Sequence, residues 1–136
     1  VSRTLRLSAA EYAAIVSGRR TGGGTSPVQI IVQPERDVLD DCLRVLNDCP
    51  LVAFFWRQNV GGLKDRDDRF IKFAFKGCSD ILGCSVRGRF IAVECKATGK
   101  FATPEQSAFL ENVNRAGGFG ICVDHAGKLA LALRDL

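Results

Sequence analysis

The sequence predicts a mixed α/β domain with a central sheet flanked by helices. Three observations lead there. An amphipathic helical repeat follows Pro34, strict strand alternation runs through residues 89–97, and a helix-start signal stands at Thr103-Pro104-Glu105-Gln106.

Taken in order, Leu7-Ser8-Ala9-Ala10-Glu11-Tyr12 reads as a short capped helix ending near Val16. Ser17 to Pro27, with five glycines and prolines interleaved among small polar residues, reads as a flexible connector. It lacks the lysine of a phosphate-binding loop, although Arg19 and Arg20 could reach nucleic acid from it. Residues 1–32 are thereby set apart from a domain at 33–136. From Glu35 to about residue 47, Val38, Leu39, Cys42, Val45 and Leu46 form one helical stripe, with Glu35 three residues before Val38 on the same inward face. A strand near 51–57, a basic loop, and strands at 69–76 and near 78–82 follow. Across 89–97, Phe90, Ala92, Glu94 and Lys96 share one face, while Ile91, Val93 and Cys95 share the other. A helix at 103–116 opens on Thr103 as N-cap, Pro104 in the first turn and Gln106 three residues after the cap. Strands at 119–124 and 128–133 complete the order, and there are no internal repeats.

The chain is one domain in size, with the composition of a soluble globular protein. No run approaches the roughly 20 apolar residues of a membrane span, and no signal peptide is recognised. This predicts a cytoplasmic protein that is not secreted. Starting at Val1 without any methionine, the chain also reads as processed or trimmed. The net charge of +4 is unevenly spread: residues 51–100 hold 10 Lys/Arg against 5 Asp/Glu, while the flanking regions balance. Arg57, Lys64, Arg66, Arg69, Lys72 and Lys76, with Lys100 beyond them, are candidate contacts to a phosphate backbone. Asp65, Asp67 and Asp68 offset part of that field, so a solvated loop is the competing reading. The six cysteines contain no C-x2-C pair, which disfavours structural zinc, and Cys42, Cys95 and Cys122 read as reduced core residues. His125, the single histidine, reads as structural.

Chemistry concentrates in one span. Asp80 lies in a glycine-bounded segment, with 13 residues between it and Glu94-Cys95-Lys96. If the intervening chain forms a hairpin, Asp80 and Glu94 converge at one edge of the sheet. Two carboxylates and a lysine there can hold a divalent metal and a water beside a phosphodiester; a plain Glu94–Lys96 ion pair is the simpler reading. Gln106 is half of a capping box, and its inward face leaves a role at the site open.

The ordered set Gly77-x-x-Asp80-Ile81-Leu82-Gly83, Glu94-Cys95-Lys96, Gly99-Lys100, Thr103-Pro104-Glu105-Gln106 and Gly117-Gly118 resembles the VRR-Nuc domain. That is the virus-type replication-repair branch of the PD-(D/E)XK nucleases. The Pro34-Glu35 helix and Arg57-Gln58-Asn59-x-Gly61 extend the likeness over residues 33 to 125; Ser79 departs from it where a proline is usual. The resemblance implies a restriction-endonuclease-like αβββαβ core. It implies Asp80, Glu94, the Cys95 carbonyl and Glu35 as ligands of Mg²⁺ or Mn²⁺, and Lys96 and Gln106 as further catalytic residues. It also implies a structure-selective DNA endonuclease, most similar to Holliday-junction resolvases of phages and bacteria and acting as a homodimer on branched DNA. A flap-processing or restriction-like nuclease, and an inactive nucleic-acid-binding domain, are the alternatives.

Overall fold

A computed structural model of the chain describes residues 31–58, 61–72 and 74–136, with side chains except at Leu63, Ile71 and Lys72. The short helix and glycine-rich connector expected before residue 31 lie outside the described residues.

Helix α1 (Glu35–Asp48) forms on the expected stripe: Val38, Leu39, Cys42 and Leu46 are buried. Pro34 stands at its N-cap, where the missing N–H costs nothing, and Glu35 and Asp37 meet the positive end of the helix dipole. Strands β1 (Val52–Arg57), β4 (Ile81–Ser85), β5 (Phe90–Cys95) and β6 (Phe119–Val123) make a four-stranded sheet in the order β1-β4-β5-β6. The β1–β4 and β4–β5 pairs are antiparallel, whereas β6 runs parallel to β5. A parallel neighbour requires a crossover, and helix α2 (Pro104–Arg115) supplies it. Strands β2 (Gly62–Lys64) and β3 (Phe70–Lys72) form a separate two-stranded hairpin between β1 and β4.

Strand alternation divides the core into two layers. On one face Ile81, Ile91, Val93 and Cys95 pack with α1 and with Leu129 of helix α3 (Ala126–Ala132). On the other, Leu82 and Ala92 pack with Leu110 and Val113 of α2. Each fully buried leucine or isoleucine in these layers contributes about 1.5–3 kcal/mol relative to exposure. All six cysteines are free thiols. A hydrogen bond with the neighbouring Cys42 sulfur, together with burial, pushes the Cys95 thiol far above the usual range, so it is an inert packing group.

Three expectations need correction. The apolar run at 128–133 is helix, not strand: Leu129, Leu133 and Leu136 are buried at helical spacing, and Ala and Leu favour helix. His125 caps that helix, its Nδ1 accepting from Gly127 N–H at 3.1 Å. The strand expected over 69–76 ends at Lys72, and a turn closed by Cys78 N–H donating to the Phe75 carbonyl leads toward β4. The strand expected near 78–82 begins at Ile81, so Asp80 sits just before it.

Among the described residues, no helix is long and apolar enough to cross a membrane.

Candidate active site

The expected hairpin forms. Ile81 pairs with Val93, and Asp80 and Glu94 follow at the adjoining ends of β4 and β5. Asp80 is fixed from both its backbone and its side chain. Its carbonyl accepts from Gln58 N–H at 2.6 Å, and its Oδ2 accepts from Cys95 N–H at 2.8 Å. Cys95 therefore meets the site through its backbone, while its side chain lies in the opposite layer.

Two glycines permit this arrangement. Gly77 has φ +92°, and a Cβ there would lie 2.7 Å from the Glu105 backbone, so only glycine lets the segment before Asp80 lie against the first turn of α2. At Gly83 a Cβ would come within 2.6 Å of the Phe54 carbonyl, where β1 presses on β4 beside an irregularity in their register.

Glu94 is buried, 1% exposed. Its Oε1 accepts from Lys96 Nζ at 2.8 Å and from Gln106 Nε2 at 2.5 Å. Its Oε2 is buried without a hydrogen-bond partner. Burial pushes the Glu94 carboxyl up to about 7; Lys96 pulls it back, and the charges of Asp80 and Glu35 add to the rise. Burial opposes the Lys96 ammonium, yet its hydrogen bond to Glu94 and the fields of Glu94, Glu35 and Asp80 leave its pKa raised. Lys96 thus stays charged at neutral pH.

Gln106 serves both expected roles at once. Its Oε1 accepts from Thr103 N–H at 2.8 Å and its N–H donates to Thr103 Oγ1 at 3.3 Å, completing the capping box. The other end of the same amide holds Glu94. Glu35 departs from expectation. It is exposed, in the first turn of α1. It reaches the site through its field on Glu94 and Lys96.

Residues that the sequence did not single out brace the site. Gln33 N–H donates to Thr98 Oγ1 at 2.9 Å and Thr98 N–H to the Gln33 carbonyl at 3.0 Å, tying the entry of α1 to the exit of β5. Asp124 Oδ2 accepts from Gly99 N–H at 2.9 Å, and its Oδ1 pairs with Lys128. The Thr98-Gly99 turn signal was visible, but its partner Asp124 is 25 residues away and left no local pattern.

The basic residues separate into groups. Arg57 is exposed at the end of β1, next to Gln58 and so beside Asp80; Arg66 and Lys100 are exposed as well. Lys64 pairs with Asp68, Arg69 pairs with Asp65 and Asp67, and Lys76 pairs with Glu105, so acids within or beside the basic region neutralise these three. The side chain of Lys72 lies outside the described residues.

Among the described residues, no group of three or more His, Cys, Asp or Glu side chains is gathered to hold a metal ion. A hard divalent cation needs fewer: Mg²⁺ commonly takes one or two carboxylates and fills its shell with waters and phosphate oxygens. The unpartnered Glu94 Oε2 beside Asp80 suits that demand, since a buried carboxylate oxygen without a partner is costly unless a cation or water meets it. Comparison of the chain with protein-family models, with curated proteins and with solved structures found no match.

Proposed function

We propose that the protein is a divalent-metal-dependent, structure-selective DNA endonuclease of the VRR-Nuc type, acting as a homodimer on four-way junctions. The observation that carries this reading is the buried Glu94, with one oxygen held by Lys96 and Gln106 and the other unpartnered, next to Asp80. The element order of the main sheet and its helices, α-β-β-β-α-β from α1 to β6, suits the restriction-endonuclease-like core of that superfamily.

Asp80 and Glu94, with the Cys95 carbonyl, would hold Mg²⁺ or Mn²⁺, which when bound polarises a phosphoryl oxygen and acidifies a water. Lys96 carries a permanent positive charge to where negative charge grows on the phosphorane. Gln106 holds the Glu94 carboxylate by Oε1 and leaves Oε2 without a protein partner. Glu35 adds negative potential that favours the cation. Arg57 lies where the phosphate backbone would pass the end of β1. Hydrolysis by activated water needs no nucleophilic side chain, and a junction resolvase needs two such sites, which a symmetric dimer supplies. The working compartment is the cytoplasm of a bacterial or phage-infected cell.

The test is cleavage of four-way junction, flap, duplex and single-stranded DNA with Mg²⁺ or Mn²⁺, beside Lys96→Ala and Asp80→Asn proteins verified as folded. Paired symmetric nicks in the junction, lost in both variants, are the expected result. Site-dependent cutting of another substrate would retain the nuclease and discard the resolvase. No cutting with either metal would leave a nucleic-acid-binding domain.

A further inference from the structure

The register of the sheet puts a second feature on the same face as the proposed metal pair. Trp56 stands opposite Leu82, and Leu82 opposite Ala92, so these side chains share the face on which Glu94 lies. Phe54 is opposite Cys84, which is opposite Phe90. Among the described residues, helix α2 packs over β5 and β6 and not over the β1 side of this face. Phe54 is 59% exposed and Trp56 is 44% exposed. Their rings lie 6.5 Å apart between centroids at an interplanar angle of 14°, and Trp56 Nε1 donates to Gln58 Oε1 at 3.0 Å. The indole is therefore held by a hydrogen bond before any ligand arrives, and both rings are partly open to solvent.

Charge identifies what would cover such a strip. Strands β1 and β4 contain no carboxylate, and the turn between β4 and β5 contains none either. Exposed Arg57 stands at one end of the strip, beside Asp80, and exposed Arg87 stands in that turn at the other end. Preordered aromatic rings between two cations fit a chain of flat bases on an anionic backbone. A wholly apolar partner would leave the two guanidinium groups without a use.

We infer that the open face of β1, through Phe54 and Trp56, stacks unpaired bases of a DNA strand that leads to the Asp80–Glu94 site. This deepens the nuclease reading, and rests on it for the path of the strand: the substrate class becomes DNA with single-stranded or splayed nucleotides next to the cut. Base–aromatic stacking of this kind tolerates any sequence, because every base presents a π face.

Trp56 is the only tryptophan of the chain, so intrinsic fluorescence reports on this surface directly. The full chain, in chelator so that no cleavage occurs, is titrated with oligothymidylate and with blunt duplex of equal length. The expected result is quenching by oligothymidylate at lower concentration than by duplex. With a labelled oligothymidylate, Phe54→Ala and Trp56→Ala should each weaken binding about five- to one-hundred-fold, and Trp56→Phe should recover most of the loss. Unquenched emission at saturation overturns the inference, as does unchanged affinity in a folded Phe54→Ala protein. A blue shift of emission with rising protein concentration, without DNA, would assign the face to a second copy and overturn it too. Cleavage without quenching removes the stacking surface alone; quenching without cleavage of any substrate removes the nuclease reading and leaves a single-strand-binding face.

Discussion

Gln106 donates to Glu94 Oε1 at 2.5 Å while its own Oε1 accepts from Thr103 N–H, so one amide closes the cap of α2 and holds a buried carboxylate of β5. Helix start and site are coupled through a single side chain.

That coupling separates two substitutions. Thr103→Ala removes only the cap and should cost about 1 kcal/mol. Gln106→Ala keeps the backbone bond to Thr103 Oγ1 but removes the acceptor of Thr103 N–H and a partner of a buried carboxylate, and should cost about 2–3 kcal/mol in urea unfolding and lower cleavage as well. Equal destabilisation by the two variants, with cleavage intact in both, would reduce Gln106 to a capping residue.

The raised Glu94 carboxyl makes metal-free stability depend on pH. Its folded pKa, about 7, lies above the ordinary 4.5, so between those values the folded state binds more protons than the unfolded state. The contribution of Glu94 is therefore fully present below pH 4.5 and is lost as pH rises through 7, by an amount on the order of 3 kcal/mol. Glu94→Gln should flatten this decline in denaturant titrations at a series of pH values. Added Mg²⁺ should oppose it, because the metal takes the deprotonated ligand. An identical slope in wild type and Glu94→Gln would show that another group dominates.

Lys96 has two effects that pH can separate. Lys96→Ala should reduce cleavage about 10²- to 10³-fold by removing a preorganised charge at the reacting phosphate. It also leaves Glu94 buried without its counter-charge, so it should destabilise the protein more at pH 8 than at pH 5, where Glu94 is protonated. Comparing melting temperatures at the two pH values tells a folding defect from a catalytic one.

Gly77 should be intolerant of a side chain. Gly77→Ala meets both the positive φ and the Glu105 backbone, and should cost about 2–4 kcal/mol, with the Asp80 segment displaced. Gly99→Ala, which meets the positive φ but open space, should cost about 1 kcal/mol. If the two variants melt together, contact with α2 is not what holds the segment.

Arg57 is the basic residue best placed to read a phosphate at the site. Arg57→Ala should weaken DNA binding and lower the slope of log Kd against log salt by about 1, without changing preference between sequences. Lys64→Ala, removing a cation already paired with Asp68, should change that slope less. The reverse order would move the phosphate path to the hairpin.

Local order was legible in the residues alone. The α1 stripe, the two faces of β5 and the capping box of α2 each rest on neighbours two to four residues apart, whose geometry is set once the backbone type is set. That is why the convergence of Asp80 and Glu94 could be anticipated from one hairpin. Only the tertiary structure decided the rest. Seven apolar-rich residues at 126–132 fit strand or helix, and packing of Leu129 on α1 and the sheet selected helix. Glu35 shares the helical period of Val38, yet Val38 is buried and Glu35 is exposed. The acids that neutralise Lys64 and Arg69 depend on the fold of a loop, and the reach of Gln106 to Glu94 depends on α2 lying over β5. Periodicity assigns a side chain to a face; what lies on the other side of that face belongs to residues far away in the chain.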